Sequence, residues 1–263
     1  MSSKLKTLNI RDMAELYLDA KRLVLDAGFE AEIAWQENAC WAPLTEHRFL
    51  SEAAWVVLSS GMKESVVRTV FPAIAAAFAG FSTAGEAAAA AKKGRTKALR
   101  VFGHVGKIDA IIAIVAHVNE SGLATVRDRL TREGLAYLRT FPYIGPITVY
   151  HLAKNLGQDV AKPDRHLVRV ARACGYDDPQ ILCRQLRDYV GEPVPVIDIV
   201  LWRFATLVQN YVDIITQGRR SIFRSLTWEP VAKPAVLAST PEKRRGQRAL
   251  SVSRRHQTQI SSP

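Results

Sequence analysis

Two helical patterns joined by a tight turn, with a third helix close behind, constrain this chain more than any other feature. Leu130, Gly134, Tyr137, Leu138 and Phe141 recur at spacings of three and four, which is one face of a helix. Phe141-Pro142-Tyr143-Ile144-Gly145 then forms the turn. Pro146 suits the first position of the next helix, where a missing N–H costs nothing. Val149, Leu152, Ala153 and Leu156 line one side of that helix, and Gly157 is a natural stop. A hairpin of this kind is expected to leave the backbone N–H groups of Gly145, Ile147 and Thr148 at a helix N-terminus. That position favours an anion such as a phosphate. Gly145 has no Cβ to obstruct the approach.

The loop Gln158–Pro163 leads to Asp164, nineteen residues past Gly145. Leu167, Val170, Ala171 and Cys174 form the buried stripe of the helix that follows, with Arg165, Arg169 and Arg172 off it. An Asp in this place caps the helix by accepting its first N–H groups. Capping leaves the carboxylate able to do chemistry as well.

A phosphate-gripping turn followed at this distance by a lone carboxylate resembles the helix-hairpin-helix-GPD superfamily of DNA glycosylases. Leu58-Ser59-Ser60-Gly61 and Phe102–Val115 resemble further superfamily segments, so the likeness covers roughly residues 50–175. It implies that Asp164 is catalytic, stabilising the cationic sugar as the base leaves and helping water attack. It implies double-stranded DNA as partner, with Gly145, Ile147, Thr148, Lys162 and His166 contacting it. It also implies a two-lobed helical fold, one lobe of about residues 47–156 and the other of 1–46 and 157–232, with the DNA-binding cleft between them. No cofactor or metal is expected beyond a structural monovalent cation at the hairpin. Cys40, Cys174 and Cys183 are too few for the four-cysteine iron–sulfur site of some relatives.

The chain departs from the superfamily at two places. Strand-cutting relatives carry a Lys two residues after the hairpin Gly, and here that residue is Ile147. A monofunctional glycosylase without lyase activity is therefore expected, although Lys154 and Lys162 lie nearby and a desolvated Lys elsewhere could act. The Gln that often fills the DNA gap is replaced by Gly61, leaving Met62 and Lys63 as candidates. A flipped base needs aromatic faces and a few polar contacts, and Gln36, Trp55, Asp198 and Trp202 are the candidates for that pocket. Asp198 sits in an apolar helix, so burying it requires a partner such as Arg203 or Arg169. His104 reads as a turn residue.

Strand signals are nearly absent, and the chain is expected to be all-α. Met13, Leu16, Tyr17 and Ala20 start one amphipathic helix; Val67, Val70, Phe71 and Ile74 mark another, with Gly61 and Pro72 as breaks; Ile108, Ile111, Ile112 and Val115 mark a third. Residues 196–215 are apolar almost all round and read as a central helix. Ala84–Ala91 reads as a surface helix or loop edge.

No apolar run of about 18 residues stands out, so no membrane partner is expected. The start lacks a signal-peptide core, and three cysteines fit a reducing compartment; a cytoplasmic monomer is expected. Net charge is +11, and residues 233–263 hold seven Lys/Arg against one acidic residue. This basic segment is expected to be a disordered tail attracted to phosphates. The expected activity is hydrolysis of the N-glycosidic bond of a damaged base, for repair, or of a hypermodified phage base, for defence. The competing expectation is a non-catalytic helix-hairpin-helix DNA-binding protein.

Overall fold

The computed structural model describes residues 8–41 and 43–217, and every regular element among them is helical. The expected basic tail, residues 233–263, lies outside the described residues. The chain opens with α1 (Ile10–Asp26) and α2 (Glu30–Trp41). It continues through α3 (Glu46–Ser59), α4 (Glu64–Ala77), a short 3-10 turn (Ala79–Phe81), α5 (Ala84–Val101) and α6 (Val105–Glu133). Then come the short α7 (Leu135–Leu138), α8 (Thr148–Asn155) and α9 (Arg165–Ala173). The last described elements are α10 (Pro179–Val190), α11 (Val194–Leu207) and α12 (Tyr211–Thr216).

Local chemistry sets many of these boundaries. Asn9, Thr45, Thr83 and Asp178 cap α1, α3, α5 and α10 by accepting a backbone N–H from the first turn. Gly61 leaves α3 with a left-handed φ of 69°, as a helix stop requires. Apolar side chains then collect into two cores. One runs from Phe49 to Leu156 and is built by α3–α8. The other joins Met13–Ile33 to Ala161–Ile215, bringing α1 and α2 against α9–α12. The chain thus leaves its first two helices, builds a separate core, and returns.

Four elements differ from the sequence expectation. Pro72 lies inside α4 rather than ending it, at the cost of the N–H that the Arg68 carbonyl would have used. The alanine-rich stretch is not a surface edge: α5 packs against α4 and α6, with Ala84, Ala87, Gly94 and Ala98 buried. Small residues permit that approach, since a Cβ on Gly94 would lie 2.3 Å from the Ala77 carbonyl oxygen. The apolar stretch 196–215 is two helices, because α11 ends at Leu207 and α12 starts at Tyr211. Finally, α6 is long and apolar enough to span a membrane on length and composition, which the search for an unbroken apolar run missed. In the fold its Ile108, Ile111, Ile114, Val115 and Val118 are in the core, and Gly122 (φ 76°, ψ 152°) interrupts it.

The two cores meet along a polar seam. The Arg48 guanidinium on α3 donates to the carbonyls of Ala39 on α2 (2.5 Å) and Asn155 on α8 (2.8 Å). Asn155 Nδ2 in turn donates to Glu52 Oε2 at 2.8 Å. Gly157 turns the chain here with φ 90°, and a Cβ on it would lie 2.6 Å from the Ala39 carbonyl oxygen. Both the left-handed φ and the close backbone exclude a side chain. Gly157→Ala is therefore expected to destabilise the fold by about 2 kcal/mol or more, from backbone strain plus overpacking, measurable as a lower urea midpoint at unchanged slope.

Glu52 makes the same seam sensitive to pH. Burial pushes its carboxyl from an ordinary 4.5 up to about 7, against the opposing pull of Asn155 and Arg48. Between those values the folded chain holds a proton that the unfolded chain releases. This contribution to stability is full below pH 4.5 and is lost as pH rises through 7. Thermal melts across that window should show a decline that Glu52→Gln removes; an unchanged pH profile in the variant would assign the decline to another group.

Candidate functional site

The expected hairpin is present, with its details shifted. Residues 139–147 join α7 to α8, and α8 begins at Thr148, two residues beyond Pro146. The turn is held by the Thr148 hydroxyl, whose oxygen accepts the Gly145 N–H at 2.7 Å and which lies 3.2 Å from the Tyr143 carbonyl it donates to. The Gly145 N–H is thus already used. The N–H groups of Ile147 and Thr148 have no acceptor among the described residues, so two donors, not three, face outward. The residue with left-handed backbone is Tyr143, at φ 63°, rather than Gly145. Tyr143 is 41% exposed; its hydroxyl lies where a Cβ on Gly106 would be, and its ring meets His104 edge-on at 5.9 Å. His104 caps α6, matching its reading as a turn residue.

Ser60 faces this hairpin across an open depression of about 430 Å³ lined by Tyr143–Thr148. A buried lysine fixes that side. Lys107 Nζ donates to the carbonyls of Leu58 (2.7 Å) and Ser60 (2.5 Å), placing a positive charge at the C-terminus of α3. Burial lowers its affinity for the proton. The segment Gly61–Lys63 leaves from this anchored end, with Met62 exposed.

Asp164 caps α9 as expected. Its Oδ1 accepts both the His166 N–H (2.9 Å) and the Leu167 N–H (3.0 Å). Its Oδ2 has no hydrogen-bond partner among the described residues, and the side chain is half-buried. One oxygen orients the group and the other is left to act.

Around Asp164 lies a cluster of charges that spans both cores. Lys154 of α8, only 4% exposed, pairs with Asp198 of α11 at 2.5 Å. The second Asp198 oxygen accepts the Lys162 backbone N–H, also at 2.5 Å. The buried Asp198 therefore has its partner, but that partner is Lys154 and neither Arg203 nor Arg169. Gln36, 1% exposed, donates to the Lys154 carbonyl at 3.2 Å. Gln36 and Asp198 are thus bound into the junction between cores rather than open in a pocket. Lys162 is half-buried; desolvation lowers its proton affinity, Lys154 adds to the effect, and Asp164, Asp198 and Glu64 oppose it. His151 is held well below the ordinary histidine value by burial first, then by Lys162 and Lys154.

Residues that periodicity did not single out complete the cleft. Glu32 of α2 binds Arg203 of α11 at 2.5 Å and Arg68 of α4 at 3.3 Å. Arg203 also approaches Glu64 of α4 at 3.7 Å, and Arg68 pairs with Glu64. This network crosses from one core to the other. The two candidate tryptophans flank it: the Arg68 guanidinium lies 5.8 Å from the Trp55 ring and that of Arg203 4.5 Å from Trp202. Trp55 also packs edge-on against Phe71. His166 does not reach the hairpin; its ring packs beside Tyr211 at 6.1 Å, with Nδ1 buried and unpartnered. Among the described residues no three His, Cys, Asp or Glu side chains converge as a metal site. No protein-family model, curated protein or solved structure matches this chain.

Space around Gly145 is open: a Cβ there would meet only the Thr148 hydroxyl, at 3.9 Å. Gly145→Val should therefore keep its melting temperature while weakening binding to all duplexes alike, because it crowds a phosphate without touching base edges. Anisotropy titrations on duplexes of differing sequence check this; a loss confined to one sequence would assign the hairpin to base reading.

Proposed function

We propose that this protein is a DNA N-glycosylase that binds duplex DNA at the hairpin and hydrolyses the N-glycosidic bond of a flipped damaged or modified base. The observation that carries the reading is the Asp164 carboxylate, one oxygen fixed by two backbone N–H groups and the other unbonded. A carboxylate held in this way stabilises the positive charge that develops on the sugar as the base departs, and it orients the water that attacks. The outward N–H groups of Ile147 and Thr148 supply a phosphate grip upstream. The net charge of +11 adds sequence-independent attraction. Trp55 and Trp202, on either side of the ion-paired cleft, supply aromatic faces for an extruded base. The biological role is repair of damaged bases or removal of hypermodified phage bases.

The same two N–H bonds favour a second reading, in which Asp164 is only a helix cap and the chain binds DNA without chemistry. Asp164→Asn separates the two, because Asn caps a helix as well as Asp but carries no charge. The wild type is incubated with duplexes bearing a panel of damaged and modified bases, and with modified phage DNA, and released bases are identified by mass spectrometry. Base release by the wild type, abolished in Asp164→Asn with DNA affinity kept within a few-fold, is the expected result. Undiminished release in the variant would leave the carboxylate as a cap alone.

A further inference from the structure

Three lysines of the described structure are desolvated enough to interest a chemist, and two have evident structural work. Lys107 is bound by two carbonyls and Lys154 by Asp198. Lys162 differs. Its backbone N–H is pinned to Asp198, which fixes the chain at this point, while its side-chain amine has no hydrogen bond or ion pair among the described residues. The side chain is half-buried, two residues before Asp164, in a neighbourhood shared with Lys154, Asp198 and Glu64. A rigid main chain carrying an unbound, partly desolvated amine is the arrangement a lysine nucleophile requires, since only the neutral amine attacks a carbonyl carbon.

We infer that Lys162 attacks C1′ of the abasic deoxyribose, giving this protein a strand-cleaving lyase activity in addition to base release. The inference rests on the glycosylase reading for its substrate. Hydrolysis of the glycosidic bond leaves a sugar whose open form is an aldehyde. The Lys162 amine adds to that carbonyl, and loss of one water gives an imine. A C2′ proton passes to water, the C3′–O3′ bond breaks, and its electron pair leaves with the 3′ phosphate. Water then hydrolyses the imine, freeing Lys162 and an unsaturated aldehyde. No oxidant or reductant is consumed. The expectation of base release alone rested on Ile147, which removes the amine from the hairpin but says nothing of Lys162.

The test supplies the substrate ready-made. Full-length protein is mixed with a duplex carrying a preformed abasic site, and borohydride reduces any imine to a stable amine. The expected result is a covalent protein–DNA band, with the sugar mapped to the peptide bearing Lys162. Lys162→Arg keeps the charge for phosphate contact but loses imine formation; it should bind the abasic duplex as tightly as the wild type and lose the band. Absence of the band with wild type, a band that survives in Lys162→Arg, or mapping to another lysine would each overturn the inference. Mapping on the wild type serves should the variant fail to fold. Because the abasic site is preformed, trapping without base release from any duplex would sink the glycosylase reading and leave this one standing.

Discussion

The ion pair between Lys154 and Asp198 is the interaction on which the arrangement of the site depends. It joins the helix that follows the hairpin to the apolar helix at the heart of the other core, and it accepts the backbone of the loop between them. Removing both charges from water is costly, and their attraction offsets that cost only when geometry is good and the remaining lone pairs are satisfied. Here both Asp198 oxygens are used, and Gln36 ties α2 to the Lys154 carbonyl. The value of such a pair is specificity of register more than stability. It fixes where the 158–163 loop crosses, and so where Asp164 begins its helix.

The rest of the seam between the cores is likewise polar. Arg48 reads two backbone carbonyls from opposite sides of the seam, and Glu32, Glu64, Arg68 and Arg203 bridge it by ion pairs. Arg68 is half exposed, so water and salt screen its share, whereas Arg203 is largely buried and gains more from its carboxylate. A polar seam between two apolar cores can be wetted and reopened at lower cost than a continuous apolar interface. Placement of the candidate catalytic carboxylate, the aromatic pair and the desolvated lysine beside that seam suits a protein that must admit a nucleobase.

The hairpin shows how local sequence and local structure diverge. Pro146 reads as the first helical residue, yet the helix begins at Thr148, because the Thr148 hydroxyl takes the Gly145 N–H and holds an extra turn open. Glycine reads as the residue needing special backbone, yet Tyr143 carries the positive φ, stabilised by packing against Gly106 and His104. Ala84–Ala91 shows the same gap in another form. Alanine is weakly apolar, so periodicity could not say which side is buried, and the close approach of Gly94 to Ala77 decides it.

The sequence by itself determined the all-helical class, the hairpin, the cap at Asp164 and the need of Asp198 for a partner. Each of these follows from neighbours within one or two helical turns, where spacing and capping chemistry operate. Tertiary structure alone decided that the partner is Lys154, that Lys162 keeps an unbound amine, that His166 turns toward Tyr211, and that Glu52 lies in a seam which raises its carboxyl to about 7. These depend on pairs separated by tens of residues, such as Lys154 with Asp198 and Glu32 with Arg203. A charge finds its counter-charge by proximity in space, and spacing along the chain carries no record of it.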